Sequence, residues 1–223
     1  MAHSNIVFFG CNYNDKKIKG QFDSLKYRIE NDTALSCIVI DKRSGKSASD
    51  LWQDIRLNIE DSAACVFDVT GFRPNVVLEL GYALSIKAGD QVFITFRKRK
   101  SKGKTPMWLL SDIGHLNRLE YINVPTLENF VREQLDLLLF SKYVKEYMKD
   151  CKSTNAVEKY QQYGLKVLQA IRDNGSQSEQ QLQALLVGSS CRLTRMLSLL
   201  KKHQLIRCGV GRNGKYSIPE LPE

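Results

Sequence analysis

The chain has 223 residues, 43% hydrophobic and 26% charged, and carries a net charge of +9 from 33 Lys and Arg against 24 Asp and Glu. These values exclude a disordered or fibrous chain and describe one large globular domain or two unequal ones. The positive balance favours polyanionic partners, nucleic acid and phosphorylated small molecules alike.

Apolar runs rich in β-branched and aromatic residues open the chain, and each is followed by a stretch of helical periodicity. Strands are predicted over 6–10, 37–41 and 64–68, with helices over 16–30, 49–60 and 75–87. A fourth strand over 91–96 and a fifth over 118–122 follow, and a helix runs from Leu127 to about Met148. This alternation is that of a doubly wound α/β domain with a parallel sheet of five strands and helices on both faces. Between the last two strands, Arg97 to Lys104 (RKRKSKGK) holds six basic residues in eight. Gly103 and Pro106 mark it as an exposed loop, either simply solvated or an anion-attracting rim of the site or a nucleic-acid contact.

The polar residues Asp150 to Asn155 break the pattern and read as a linker, which divides the chain into domains at 1–150 and 156–223. Val157, Tyr160, Leu165, Leu168 and Ile171 then form a helix that ends at the Asn174-Gly175 cap signal, and Ser178-Glu179 opens a second. Leu193, Met196, Leu197 and Leu200 trace the apolar face of a third. Short strands over 205–208 and 215–218 flank a glycine-rich turn. Three helices and a β-ribbon resemble a winged helix-turn-helix. Its third helix carries Arg192, Arg195, Lys201 and Lys202, and its ribbon Arg212 and Lys215, which suit phosphate contacts with DNA. Docking to protein is the alternative use of such a module.

Six cysteines (Cys11, Cys37, Cys65, Cys151, Cys191, Cys208) stand singly, without the paired spacing of zinc or redox motifs, and read as small buried thiols. With only His3, His115 and His203 besides, no metal is expected. No apolar run approaches the ~20 residues that cross a bilayer. The N-terminal MAHSNIVFFG lacks a basic n-region and cleavage site, so no secretory signal is expected, and residence in the cytoplasm follows.

The chemistry concentrates in Ala64 to Leu84 (ACVFDVTGFRPNVVLELGYAL). A buried strand ends at Asp68, a glycine turn follows, and Pro74 stands where a first helical turn tolerates it. Ligands of open α/β sheets bind at such carboxyl ends. On the helix, Asn75, Glu79, Tyr82 and Ile86 share one face. Glu79 sits among apolar neighbours, where a carboxylate is costly to bury without a partner or a task. Arg73 could pair with it structurally. The functional reading places Glu79 against the sugar of a nucleotide, stabilising the oxocarbenium-like carbon formed when an N-glycosidic bond breaks. Gly81 would then admit close approach of the ligand.

The pattern Asp68-x-Thr70-Gly71-x-Arg73-Pro74-Asn75-Val76-x-x-Glu79-Leu80-Gly81-x-Ala83 resembles that of bacterial TIR-like and nucleoside 2-deoxyribosyltransferase-like domains. Ser111-Asp112-Ile113 and the stretch from Leu116 to Tyr121 are similar to the segment entering their last strand. The resemblance covers about residues 5 to 140. It implies a flavodoxin-like sheet, a catalytic Glu79, and a pocket drawn from Phe9, Gly10, Cys11, Asp68, Arg73, Asn75, Tyr82 and Asp112. NAD or a related nucleotide would be substrate or ligand rather than cofactor. Self-association into a homo-oligomer and a role as an anti-phage immune effector are implied extensions, with no membrane partner. Arg73-Pro74-Asn75 stands where deoxyribosyltransferases carry a further aspartate, and an arginine suits a phosphorylated substrate. Trp52 and Trp108 could stack on a base or simply pack, and His115 could protonate a leaving base. The rival functions are a nucleotide sensor that binds DNA without catalysis and an interaction adaptor in which both domains mediate assembly.

Overall fold

The computed structural model describes residues 4–40, 47–98, 118–153, 157–186, 192–209 and 214–219. Two compact units emerge, Ile6–Asn31 with Cys37–Asp136, and Met1–Asn5 with Asp32–Ser36 and Leu137–Glu223.

In the first unit the apolar runs become β1 (Ile6–Gly10), β2 (Ser36–Ile38), β3 (Ala64–Asp68), β4 (Val92–Arg97) and β5 (Arg118–Tyr121). They form one five-stranded sheet in the order β2-β1-β3-β4-β5. The central strands pair in parallel, with Gly10 opposite Phe67, Asp68 opposite Thr95 and Arg97 opposite Tyr121. This is the flavodoxin-like α/β architecture, whose ligand crevice lies where the strand order reverses, at the carboxyl ends of β1 and β3.

Side-chain alternation along each strand divides the sheet into two faces. Phe8, Cys65, Phe67, Val92, Ile94 and Phe96 pack into one core with residues of α2 (Ala48–Asp61) and α3 (Pro74–Ile86), among them Ile55, Ile59, Leu80 and Ala83. On the other face Phe9 meets Phe22 of α1 (Lys16–Asp32) edge-on, with ring centroids 5.6 Å apart. That side also carries α4 (Val124–Leu135), joined to α1 by an ion pair between Arg28 and Glu128 at 3.0 Å.

The ends of these helices follow from their capping residues. Asp15 accepts from Lys17 and Ile18 N–H at the start of α1, Ser47 from Asp50 N–H at α2, and Asn123 from Thr126 N–H at α4. Lys87 closes α2 from outside, its Nζ donating to the carbonyls of Glu60 and Ser62 at 2.7 and 2.6 Å.

One predicted helix is two. In place of a single helix from Leu127 to Met148 the chain forms α4 and α5 (Leu139–Asp150). Leu127, Val131 and Leu135 are the buried stripe of α4, whereas Phe140 and Tyr147 are buried in α5. Val131 and Phe140 are about two and a half turns apart at 3.6 residues per turn, so an unbroken helix would aim them at opposite sides.

The second unit holds α5, α6 (Val157–Asn174), α7 (Glu179–Ala184) and α8 (Leu193–Lys202), then an antiparallel pair, β6 (Arg207–Cys208) with β7 (Tyr216–Ser217). Its core centres on Tyr147, fully buried, whose hydroxyl donates to the Tyr160 carbonyl at 2.6 Å. Gly164 makes room for that ring, because a Cβ there would fall 2.0 Å from Tyr147 Oη. Among the described residues no helix is long and apolar enough to cross a membrane.

Helix propensity alone favours Ala over Gly by roughly 0.5–1 kcal/mol. Gly164→Ala is nevertheless expected to destabilise the chain by about 1–3 kcal/mol through overpacking. Thermal or denaturant unfolding checks this, and an unchanged or raised midpoint would contradict the packing described.

Candidate functional site

A cavity of about 290 Å³ opens at the crevice. Ile40, Leu51, Ile55 and Val76 form its apolar wall, and the turn after β1 contributes Cys11, Asn12, Tyr13 and Asn14. Arg73, Asn75 and Glu79 face it from the start of α3. Its size is at the lower end of the ~300–1,000 Å³ usual for small-ligand pockets, and its make-up, an apolar wall with a few polar groups, is typical of them.

Glu79 reaches this cavity because its helix is fixed on either side of it. Val76, Leu80 and Ala83 are buried against the sheet, which sends the neighbouring Glu79 toward the end of β1. The carboxylate comes to rest above a bare backbone. A Cβ on Gly10 would lie 3.0 Å from Glu79 Oε2 and 2.4 Å from Phe67 Cδ1, so no side chain fits at this position unless both neighbours move. Glu79 is thus half-buried between an apolar wall and the carboxyl edge of the sheet, while Arg73 and Asn75 are exposed at the mouth.

Cys11 lines the same cavity. Burial pushes its thiol well above the usual cysteine range, and a hydrogen bond with Tyr13 opposes this only in part. The nearby carboxylates of Asp68, Asp23 and Glu79 push the same way, so the sulfur stays a protonated, poorly nucleophilic wall atom.

The structure does not bring all the sequence candidates together. Phe9 belongs to the core beneath α1. Tyr82 turns from the cavity toward α2, where its hydroxyl donates to Glu60 and its ring meets Trp52 edge-on at 5.8 Å, with the Arg56 guanidinium 5.1 Å away. Gly81 faces open space, since a Cβ there would meet nothing within 4 Å, and it does not floor the pocket. Asp68 is 1% exposed and absent from the cavity wall, its carboxylate accepting from Tyr121 Oη at 2.6 Å and Thr70 N–H at 2.9 Å. Asp112, His115, Trp108 and most of the basic run after Arg97 lie outside the described residues, as do Cys191 and Arg212.

In the second unit, several predicted phosphate contacts have internal engagements. Lys202 Nζ is 2.6 Å and His203 Nε2 2.9 Å from the Asp150 carboxylate, which these bonds hold below its ordinary range. The Arg195 guanidinium lies 5.9 Å from the Tyr160 ring and the Lys201 ammonium 5.0 Å from that of Tyr216. Arg192 precedes α8, its N–H donating to Tyr160 Oη, and Lys215 is exposed on the ribbon.

Sequence reading missed Asn12, Tyr13 and Asn14, although a polar turn directly after β1 was the available signal. It also missed Tyr121 and Thr95, polar residues at or near strand ends and both fully buried. No protein-family model matches the chain, and no curated protein matches it in sequence.

Burial raises the Asp68 carboxyl above its ordinary range, against the opposing hydrogen bonds of Tyr121 and Thr70. The folded state then holds this proton more tightly than the unfolded state. Stability from this group is fully present below the unfolded value and is lost as pH rises through the raised folded value. Relative to Asp68→Asn, the wild-type chain should therefore gain stability as pH falls through that window. Denaturant midpoints over a pH series test this, and a difference that grows with pH would contradict it.

Proposed function

We propose that the α/β unit is an N-glycosidase that cleaves the bond between ribosyl carbon and base in NAD or a related nucleotide. The observation that carries the reading is the Glu79 carboxylate seated over Gly10 inside a cavity at the carboxyl edge of the sheet. The motif resemblance to TIR-like and deoxyribosyltransferase-like domains supports it, as does the overall positive charge.

In this reading the sugar lies in the cavity against Glu79 and the phosphates face Arg73 and the N-terminal end of α3, where helix N–H groups and a guanidinium favour anions. The C–N bond breaks with its electron pair going to the base. A nicotinamide that was cationic leaves neutral and needs no proton. Glu79 stabilises the developing positive charge on the ribosyl carbon electrostatically, water adds to that carbon, and the proton released passes to solvent.

The same reading takes residues 156–223 as a winged helix-turn-helix module with DNA as its partner. Three helices followed by an antiparallel ribbon support this, with Arg195, Lys201 and Lys215 exposed. That arrangement also favours the second reading, a nucleotide sensor that binds DNA without cleaving its ligand.

Two experiments test the proposal. Purified protein at high concentration, to allow for assembly, should release nicotinamide from NAD, and Glu79→Gln should lower the rate by about 10²-fold or more. Intact NAD in both samples would remove the glycosidase reading and leave the sensor. DNA binding, followed by anisotropy, should weaken with salt at a log–log slope of about −3 to −5, for a few phosphate contacts. Absence of binding at low salt would remove the DNA partner.

A further inference from the structure

We infer that Asp68 and Tyr121 are positioning residues whose buried hydrogen bond fixes the turn at 69–73 and thereby sets Arg73 and the N-terminal end of α3 at the cavity mouth. The catalytic readout of this inference rests on the glycosidase reading; its structural readout does not.

Asp68 is the last residue of β3, and strand alternation places it on the face opposite Glu79. Its Oδ1 accepts from the N–H of Thr70, a local bond within the turn. Its Oδ2 accepts from Tyr121 Oη at 2.6 Å, and Tyr121 ends β5, two strands away across β4. The turn is stitched to β4 as well, because Thr70 Oγ1 accepts from Arg97 N–H at 2.7 Å and Val69 N–H donates to Thr95 O at 2.9 Å. From this anchored stub the chain takes two successive left-handed residues, Gly71 at φ 77° and Phe72 at φ 47°.

A left-handed glycine is unstrained, but a left-handed phenylalanine is a rare conformation that persists only where its surroundings over-determine it. Phe72 has such surroundings. Its N–H donates to Val69 O at 2.9 Å and its side chain packs against the core beneath α2 and α3. The next residue, Arg73, is the N-cap of α3; its carbonyl accepts from Val77 N–H at 3.0 Å, its side chain makes no capping bond, and Pro74 fixes the first helical position. The direction in which Arg73 leaves the turn is therefore set by the turn. Of the two bonds described above for the Asp68 carboxylate, the Tyr121 bond is the one that comes from outside the turn. A direct role for Asp68 on the ligand is at odds with its burial and its place outside the cavity wall.

The test compares full-length wild-type, Tyr121→Phe and Asp68→Asn chains by hydrogen exchange and by NAD turnover. Phenylalanine keeps the ring and its volume, so Tyr121→Phe carries the test even if Asp68→Asn fails to fold. Exchange in peptides covering 69–76 should rise about tenfold or more while those of β1 and β3 keep their wild-type rates. The KM for NAD should rise about fivefold or more with kcat within about twofold, the pattern of lost ground-state binding. Unchanged exchange at 69–76, or a rise spread evenly over the sheet, would overturn the inference, as would a fall in kcat at constant KM. If the wild-type chain leaves NAD intact, the glycosidase reading alone fails, and the exchange comparison still decides.

Discussion

The missing side chain of Gly10 is the constraint on which the carboxyl edge of this sheet depends. Phe67 from β3 and Glu79 from α3 both occupy space that a Cβ at this position would need. Phe67 belongs to the core that seats α2 and α3, so the same glycine allows the helix to settle and its carboxylate to come down on the backbone of β1. Desolvating a carboxylate is unfavourable unless polar groups or a ligand compensate. A half-buried position at the open end of a crevice limits that cost and leaves the group able to meet a ligand.

Strand alternation then separates two acidic residues that stand only eleven positions apart in sequence. Glu79 lies on the α2–α3 side, against the cavity, whereas Asp68 is directed to the α1–α4 side and to Tyr121. The Glu79 carboxylate borders the cavity, and that of Asp68 accepts from Tyr121 Oη and Thr70 N–H. The strain at Phe72 is placed between them, in the segment that delivers Arg73 to the mouth. The second unit shows the same economy of charge, since Lys202 and His203 of the basic C-terminal segment share the Asp150 carboxylate.

Much of the fold was legible in the sequence, and β1 and β3 begin and end where the apolar runs do. Periodicity, with Pro74 at the start of the third, located α1 to α3 because each is a local signal. The division of α4 from α5 was not legible, as no proline or glycine marks it and the cause is a change of buried face that only tertiary packing creates. Glu79, Arg73 and Asn75, singled out from the motif, line the cavity at the crevice. The motif misassigned Tyr82 and Gly81, whose surroundings depend on how α3 is rotated against α2, and Asp68, whose partner is 53 residues away. Alternation along β3 was the available clue that Asp68 and Glu79 face different sides.

The central claim is that a nucleotide binds with its ribosyl carbon against Glu79 over Gly10. A crystal structure of the Glu79→Gln variant grown with saturating NAD tests it most directly, because the variant should bind the intact molecule. The account predicts ribose density in the cavity against residue 79, with a phosphate toward Arg73. NAD bound away from this cavity, or an empty cavity at saturation, would contradict it.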